Sequence, residues 1–184
     1  SVLGRCLESA KPWVDEIIVV DTGSTDRSMD VARDHGARVF EHPWTDDFSA
    51  ARNAAIEHAT GHWILSLDAD EILEKRAGRD LRKVVGKSNF VGAYIPLRDE
   101  GDDDKVTVSL MFRFWRNRPE IRWRYRLHEQ VLPCAFDLVH REGLRLAQIA
   151  GQIVHDGYQA DVMAAKGKNE RNERLYDLQI SDTP

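Results

Sequence analysis

The 184 residues are enough for one domain with a sizeable core, and 42% apolar with 31% charged residues are ordinary proportions for a soluble globular protein. The net charge of −5 argues against a general nucleic-acid binder, and no apolar run approaches the roughly 18 residues of a membrane span. With two cysteines, Cys6 and Cys134, and no visible signal peptide, we expect a cytoplasmic protein with reduced thiols.

Helical and strand patterns alternate in the first half of the chain. The predicted elements, in order, are a helix from residue 2 that Pro12 closes, a strand at 16–21, a turn at 22–26, a helix ending near Gly36, a strand at 38–41, a helix at 48–59 with Ser49 as a candidate cap, and a strand at 63–68. Such alternation predicts a parallel sheet whose ligand crevice lies beyond the carboxyl ends of its strands. Asp21 and Asp68 each end a strand, so we expect both at that crevice.

The second half has a different pattern. The predicted elements are strands at 90–97 and 106–116, a polar turn or loop at 99–104 between them, short strands at 144–149 and 152–155, and a polar helix from residue 160 onward. Between Ile121 and His128, apolar and aromatic residues alternate with basic ones, which predicts a strand with one apolar and one basic face. A smaller antiparallel part is therefore expected in this half.

The segment Asp68–Ala69–Asp70–Glu71 carries the strongest chemical signal. Three carboxylates within four residues at the end of a buried strand are costly unless a positive charge compensates them. A hard divalent cation takes oxygen ligands and bridges to phosphate oxygens, so the pattern favours a metal held against a nucleotide diphosphate. Alternatively, Asp70 or Glu71 caps a following helix, although that interpretation leaves Asp68 without a role.

A second candidate site is the turn after the first strand. Asp21 ends this strand and is followed by Gly23, Ser24, Thr25 and Asp26. An acidic residue at a strand end can accept hydrogen bonds from a base or a ribose. A capped turn between a strand and a helix explains the same residues equally well.

Five segments, in order, resemble one enzyme family. Residues 20–26 (VDTGSTD), 48–55 (FSAARNAA), 63–71 (WILSLDADE), 127–129 (LHE) and 153–158 (IVHDGY), the last followed by Lys168 to Leu175, are similar to motifs of the family 2 glycosyltransferases. The last of these resembles a bacterial branch often fused to helical repeats. The resemblance spans nearly the whole chain and implies the GT-A fold.

The resemblance implies an inverting transfer from a nucleotide sugar, usually a UDP-sugar, to an acceptor. The nucleotide-binding residues that it implies are Asp21, Gly23, Ser24, Arg52 and Asp68. The metal ligands that it implies are Asp70, His155 and Asp68, the last through water or shared with the ribose. The imidazole of His155 is an acceptable ligand for Mn²⁺, whereas Mg²⁺ prefers oxygen ligands. Mn²⁺ and Mg²⁺ both remain candidates for the metal.

Inversion requires a base opposite the leaving group, and a carboxylate within reach of the acceptor hydroxyl can serve. Glu129 is the candidate base and His128 the alternative. Glu129 is also explained as a surface residue paired with Arg124 or Arg126. The basic face formed by Arg122, Arg124 and Arg126 either helps to bind the diphosphate or is a solvated strand face.

We expect a single GT-A domain over 1–184, with a nucleotide-binding half at 1–90, an acceptor and catalytic half at 91–158 and a C-terminal helix at 159–184. Its central sheet is expected to be mostly parallel and flanked by helices. The family normally begins with a strand before the first helix, whereas this chain opens on what resembles that helix. We therefore expect the first strand to be missing.

Two other functions fit the same residues. In a phosphohydrolase, Asp68 would attack phosphate with Asp70 two residues on, but such enzymes usually carry this motif on their first strand. A non-catalytic module could bind a sugar or nucleotide without turnover. The sequence leaves open the transferred group, a hexose or an N-acetylhexosamine, as well as the acceptor, which could be a glycan, a lipid-linked sugar or a protein.

Overall fold

The computed structural model describes residues 1–100, 106–155 and 162–182. Residues 101–104 of the predicted loop and residues 156–158 of the last motif lie outside this part. The elements are α1 (Val2–Ala10), a 3-10 turn (Lys11–Trp13), β1 (Ile18–Asp21), α2 (Ser28–Asp34), β2 (Arg38–Glu41), α3 (Phe48–His58), β3 (Trp63–Leu65), β4 (Glu71–Leu73), α4 (Lys75–Val85), β5 (Phe90–Glu100), β6 (Val106–Arg116), α5 (Leu132–Glu142), β7 (Arg145–Gln148), β8 (Ile153–His155) and α6 (Val162–Asp182). Within this part of the chain, no helix combines the length and apolar character needed to cross a membrane.

The strands form two sheets. β1 and β2 pair in parallel, whereas the larger sheet has the order β3–β6–β5–β8–β4 with β7 also beside β5. The mixed α/β class is confirmed, but the parallel share is smaller than expected. Three of the five pairings in the larger sheet are antiparallel. One of these pairings is between consecutive strands: β5 pairs directly with β6, and their connection contains no crossover helix of the kind that parallel strands need. β3 and β4 pair with β6 and β8 rather than with each other.

The two sheets are separate between β1 and β3. Among the described residues, β1 pairs only with β2, and β3 pairs only with β6. The expectation of a missing first strand stays a prediction.

The predicted strand at 121–128 is wrong. The described backbone there contains only an isolated bridge between Arg124 and Gln130. Tyr125 and His128 have φ values of 78° and 55°, which no pleated strand adopts. Ile121, Trp123 and Leu127 are nevertheless buried, so the apolar half of the alternation reflects burial, although Tyr125 is exposed.

Two further local expectations need correction. Asp47, rather than Ser49, caps α3, because its carboxylate accepts the Ala50 amide at 3.0 Å. Glu71 belongs to β4 rather than to a helix cap, and the next helix begins at Lys75.

The larger sheet carries a core on each face. Phe114 and Trp115 are neighbours on β6, so their side chains point to opposite faces. Trp115 belongs to one buried cluster with Leu138 of α5, and Phe114 belongs to the other with Leu81 of α4. β3 and β4 are the first and last strands in the sheet order, and the segment that joins them carries Asp68 and Asp70. The two cysteines are free and buried, as expected for reduced thiols.

Candidate functional site

The turn between β3 and β4 places the two aspartates of the DxD segment. The Glu71 amide donates to the Asp68 carbonyl at 3.0 Å, and the Asp68 amide donates to Glu71 Oε2 at 2.8 Å. The Cys6 thiol donates to the same carbonyl from α1 at 3.3 Å. Burial and the nearby carboxylates of Glu71, Asp68 and Asp70 raise the pKa of Cys6 to about 12. Hydrogen bonds between Asp68 and Glu71 therefore hold the turn, and Cys6 of α1 adds a further hydrogen bond to it.

Asp68 lies in a network of alternating charges. Its Oδ1 accepts from Arg52 Nη2 at 2.7 Å, and its Oδ2 accepts from Arg113 Nη2 at 2.8 Å. Arg113 Nη2 also donates to Glu71 Oε1 at 3.0 Å, where the Arg113 and Glu71 side chains are only 7% and 2% exposed. Burial alone would raise the pKa of Asp68, but the charges of Arg113 and Arg52 outweigh it and lower that pKa. Burial raises the pKa of Glu71 despite Arg113.

The same network reaches the candidate base. Arg52 Nε donates to Glu129 Oε1 at 2.6 Å, and the Arg52 guanidinium lies 4.9 Å from the centre of the Trp123 ring. Asn53 fixes the Trp123 backbone by donating to its carbonyl and accepting its amide. Arg52 therefore links Glu129, the candidate base, to Asp68, and so joins the predicted catalytic residue to two residues predicted to bind the nucleotide.

Asp70 has different partners. Its Oδ2 lies 3.0 Å from His155 Nε2, and His155 Nδ1 lies 3.2 Å from Asp99 Oδ1. Burial would lower the pKa of His155, but its hydrogen bonds to Asp70 and Asp99 outweigh that effect and raise it. The β-sheet produces this arrangement, since His155 is opposite Glu71 on β4 and opposite Asp99 on β5.

Asp70 and His155 suit a divalent cation in part. A carboxylate oxygen and an imidazole nitrogen converge, and a cation bound to a diphosphate often takes only one or two protein carboxylates. In the described ranges, however, no three His, Cys, Asp or Glu side chains are placed to hold a metal. The predicted set of Asp68, Asp70 and His155 is thus not assembled as a trio, because both oxygens of Asp68 bind arginines.

The turn after β1 is self-contained. Asp21 Oδ2 accepts the amides of Gly23 and Ser24, each at 3.0 Å. Gly23 has a φ of 123°, a backbone conformation that residues other than glycine rarely adopt. Hydrogen bonds from Ser24 lower the pKa of Asp21 despite its partial burial. The turn predicted from the sequence is present, and the assignment of Asp21, Gly23 and Ser24 to nucleotide binding remains a prediction.

The predicted basic face does not form. Arg122 Nη1 donates to the carbonyls of Arg118 and Ile121, and Arg126 Nε donates to Asp182 Oδ2 at 2.6 Å. Arg122 is thus engaged by its own loop and Arg126 by α6. Glu129 pairs with Arg52 rather than with Arg124 or Arg126.

Two residues of this site were not predicted from the sequence: Arg113, which pairs with Asp68 and Glu71, and Asp99, which contacts His155. Arg113 interrupts the apolar run Leu110–Met111–Phe112–Arg113–Phe114–Trp115. A charge in such a run requires a buried partner, which is a signal that could have connected it to the carboxylates of the third strand.

The sequence profile described as Glycosyl transferase family 2 matches residues 1–164. The chain belongs to glycosyl transferase family 2. Among relatives of this family-2 chain, a TPR repeat-containing protein of Synechococcus elongatus is 40% identical over all of the chain and 46% of its own length. The SPbeta prophage-derived glycosyltransferase SunS of Bacillus subtilis is 29% identical over 93% of the chain and 40% of its own length. The chain thus spans less than half of either relative.

Solved structures show that this family-2 chain has the GT-A fold. Glucosyl-3-phosphoglycerate synthase from Mycobacterium tuberculosis, in complex with Mn²⁺, UDP and phosphoglyceric acid, matches with a TM-score of 0.61 and 18% identity, over 91% of the chain and 69% of the synthase chain. Staphylococcus aureus TarS 1–349, in complex with UDP-GlcNAc, matches with a TM-score of 0.63 and 15% identity, over 82% of the chain and 52% of the TarS chain. At these identities the likeness concerns the fold alone.

Proposed function

We propose that the chain transfers a sugar, a hexose or an N-acetylhexosamine, from a UDP-sugar to an acceptor hydroxyl, with inversion and with help from a divalent metal. The observation that carries the proposal is the link from Asp68 through Arg52 to Glu129, which joins the DxD turn to a candidate base. The family supports sugar transfer, and the complexes of the two structural neighbours support a UDP-linked donor.

The donor would bind between the turn after β1 and the turn after β3. In this proposal Asp21 contacts the base, with Gly23 and Ser24 shaping its turn. Asp68 contacts the ribose, while Arg52 adds positive charge near the diphosphate. Both residues can keep their network while binding the donor, because a guanidinium has five N–H donors and each carboxylate oxygen has a second lone pair that can accept a hydroxyl.

Asp70 and His155 would hold the metal, which is Mn²⁺ or Mg²⁺. The Mn²⁺ in the synthase complexes supports the first. The bound cation would stabilise the charge on the departing diphosphate. In the chain itself, Asp99 accepts a hydrogen bond from His155 Nδ1 when that nitrogen is protonated, leaving Nε2 available as a ligand.

Glu129 would accept the proton of the acceptor hydroxyl. Its hydrogen bond to Arg52 uses Oε1, and among the described residues Oε2 accepts no hydrogen bond. The carboxylate is 15% exposed, so it can reach a substrate while remaining oriented by Arg52. His128 is the alternative base, with its Nε2 at 2.8 Å from the Tyr176 hydroxyl.

The phosphohydrolase alternative receives no support from the geometry. The family is one of sugar transfer, and Asp68 follows the third strand of the chain rather than the first, where such hydrolases usually carry this motif. We therefore do not retain it as a second candidate function.

The test is calorimetric titration of the chain with UDP, UDP-glucose and UDP-GlcNAc, with and without Mn²⁺. Asp70→Ala should weaken Mn²⁺-dependent binding by at least about tenfold, which corresponds to about 1.4 kcal/mol. Asp137→Ala, at an exposed position on α5, is the matched control and should bind as the wild type does. If none of the three compounds binds the wild type in a metal-dependent way, the proposal is wrong.

Glu129→Gln separates an enzyme from a binding module. It should retain UDP binding but hydrolyse or transfer the sugar about 10²–10⁴ times more slowly, since it cannot accept a proton. Turnover is followed as UDP release from the bound UDP-sugar. Equal UDP release by the wild type and Glu129→Gln would favour a non-catalytic module or another base.

A further inference from the structure

Backbone strain in the described chain is confined to two loops. Asp46, Tyr125 and His128 are the non-glycine residues with positive φ among the described positions, at 56°, 78° and 55°. Asp46 lies just before α3, and the other two lie between β6 and α5. Such conformations persist only where surrounding contacts hold them.

The two loops bind each other. The Phe48 amide donates to the Arg126 carbonyl at 3.0 Å, and Arg126 Nη1 donates to the Asp46 carbonyl at 3.2 Å. Each loop leads directly to one member of the Arg52–Glu129 pair: Arg52 lies about one turn into α3, and Glu129 follows His128. Fixing the two loops therefore fixes the ion pair.

One face of α6 contacts both loops. Arg174 pairs with Asp46, and the Arg171 guanidinium lies 5.1 Å from the centre of the Phe48 ring. The other contacts fall on consecutive residues of the second loop: Asp182 Oδ2 accepts from Arg126 Nε at 2.6 Å, Gln179 Oε1 accepts the Leu127 amide at 3.1 Å, and the Tyr176 hydroxyl lies 2.8 Å from His128 Nε2.

An apolar contact anchors the same helix independently. Leu175 is completely buried, so removing one polar contact need not release α6 from the domain. The polar contacts from α6 therefore act mainly on the residues next to Glu129 and contribute less to the stability of the whole domain.

We propose that α6 is a positioning clamp: Gln179 and Tyr176 hold the loop that carries Glu129 in its strained conformation, and thereby set the carboxylate against Arg52. Gln179 and Tyr176 are positioning residues, since they act through Leu127 and His128. The catalytic part of this inference rests on the proposed function, whereas the clamp itself is a property of the backbone.

The first test measures the loop without any substrate. Hydrogen–deuterium exchange of the Leu127 amide should be about tenfold faster in Gln179→Ala, because its acceptor is gone. Gln179→Glu keeps an acceptor oxygen and should restore the wild-type exchange. Ile180→Ala is the matched control, since this neighbouring side chain is 70% exposed. Wild-type exchange in Gln179→Ala would overturn the clamp.

The second test measures UDP release from UDP-glucose and UDP-GlcNAc. Displacing the base should lower kcat about tenfold in Gln179→Ala and, by a smaller factor, in Tyr176→Phe, with KM for the donor within about twofold of the wild type. Gln179→Glu should recover kcat. Faster exchange with unchanged kcat would show that α6 is only structural and would overturn its positioning role.

The two failures are distinguishable. If the wild type neither binds UDP nor releases it from a UDP-sugar, the proposed function fails, and the exchange measurement alone then decides whether α6 clamps the loop. If the wild type is active, the exchange and kcat of the α6 variants decide the positioning role directly.

Discussion

Asp68 and Asp70 are separated by a single residue, yet their environments differ in every respect. Asp68 binds two arginines, one of which is buried with Glu71. Asp70 is 48% exposed and contacts His155, which in turn contacts Asp99. The first aspartate connects elements inside the domain, whereas the second pairs only with His155 among the described residues and is the one proposed to bind the metal.

This difference shows that the spacing of a motif does not determine what its members do. Two carboxylates in one turn take separate roles when their neighbours differ, as they do in many active sites. Here Arg113 on β6 makes the difference, because it joins Asp68 to Glu71 across the sheet. Three sets of variants test the comparison.

Removal of Arg113 should have the largest effect. Arg113→Met leaves Glu71 buried without a positive partner, and breaking a buried pair of this kind costs about 3–5 kcal/mol. The free energy of unfolding, measured by urea denaturation, should fall by that amount. Arg141→Met, at an exposed position on α5, should change it by less than about 0.5 kcal/mol. Equal stability of the two variants would show that the network is dispensable.

The two aspartates should respond unequally to the same substitution. Asp68→Asn should destabilise the fold by about 1–2 kcal/mol, at the low end for charged hydrogen bonds because the side chain is 36% exposed. Asp70→Asn should change stability by less than about 0.5 kcal/mol, as surface substitutions usually do. Urea denaturation of both variants without metal makes the comparison. Losses of equal size would contradict the division of roles.

A third carboxylate, Glu16, should give a small effect that depends on pH. Burial would raise the pKa of Glu16, but hydrogen bonds from the Thr60 and Gly61 amides, the Thr60 hydroxyl and Arg38 outweigh it and lower that pKa. Its contribution is therefore fully present above the unfolded pKa and is lost as the pH falls through the lower folded value.

Glu16→Gln should lower the free energy of unfolding at pH 7 by less than about 1 kcal/mol and remove this part of the acid dependence. Urea midpoints measured from pH 7 down to pH 3 give the result. Parallel pH profiles for the wild type and the variant would indicate that Glu16 titrates alike in both states. Glu57→Gln, at an exposed position on α3, is a suitable control.

Much of the fold could be predicted because its signals are local. The continuous β-branched run before Asp21 and the long apolar run at 106–116 correspond to β1 and β6, and the helix from residue 160 onward corresponds to α6. The helices α4 and α5 were not predicted. Their signals were nevertheless present in the sequence, since Ala77, Leu81 and Val84 recur at helical spacing in α4 and Pro133 lies in the first turn of α5, where a helix accepts it.

The failure at 121–128 has a physical cause. An alternation of apolar and polar residues reports which side chains are buried, but a loop that crosses a core can bury alternate residues as well as a strand does. Positive φ at Tyr125 and His128, held by contacts from α6, leaves no trace in the local pattern.

The site divides in the same way. Asp21, Arg52, Asp68, Asp70 and Glu129 were found through motifs, and the structure adds that three of them form one network. Arg113 and Asp99 were missed because their partners lie on other strands, and pairing between distant strands is a tertiary property. No periodicity within β5 or β6 specifies which carboxylate or imidazole will lie opposite.

The thiol beneath the DxD turn has a consequence for oxidation chemistry. Oxidants and alkylating reagents attack the thiolate form of cysteine, and Cys6, with a pKa of about 12, remains a thiol at physiological pH. Burial, together with the negative charge of the turn, disfavours an anion on the Cys6 sulfur. We therefore expect Cys6 of the folded chain to react slowly with alkylating reagents and oxidants, although it lies next to the most acidic segment of the chain.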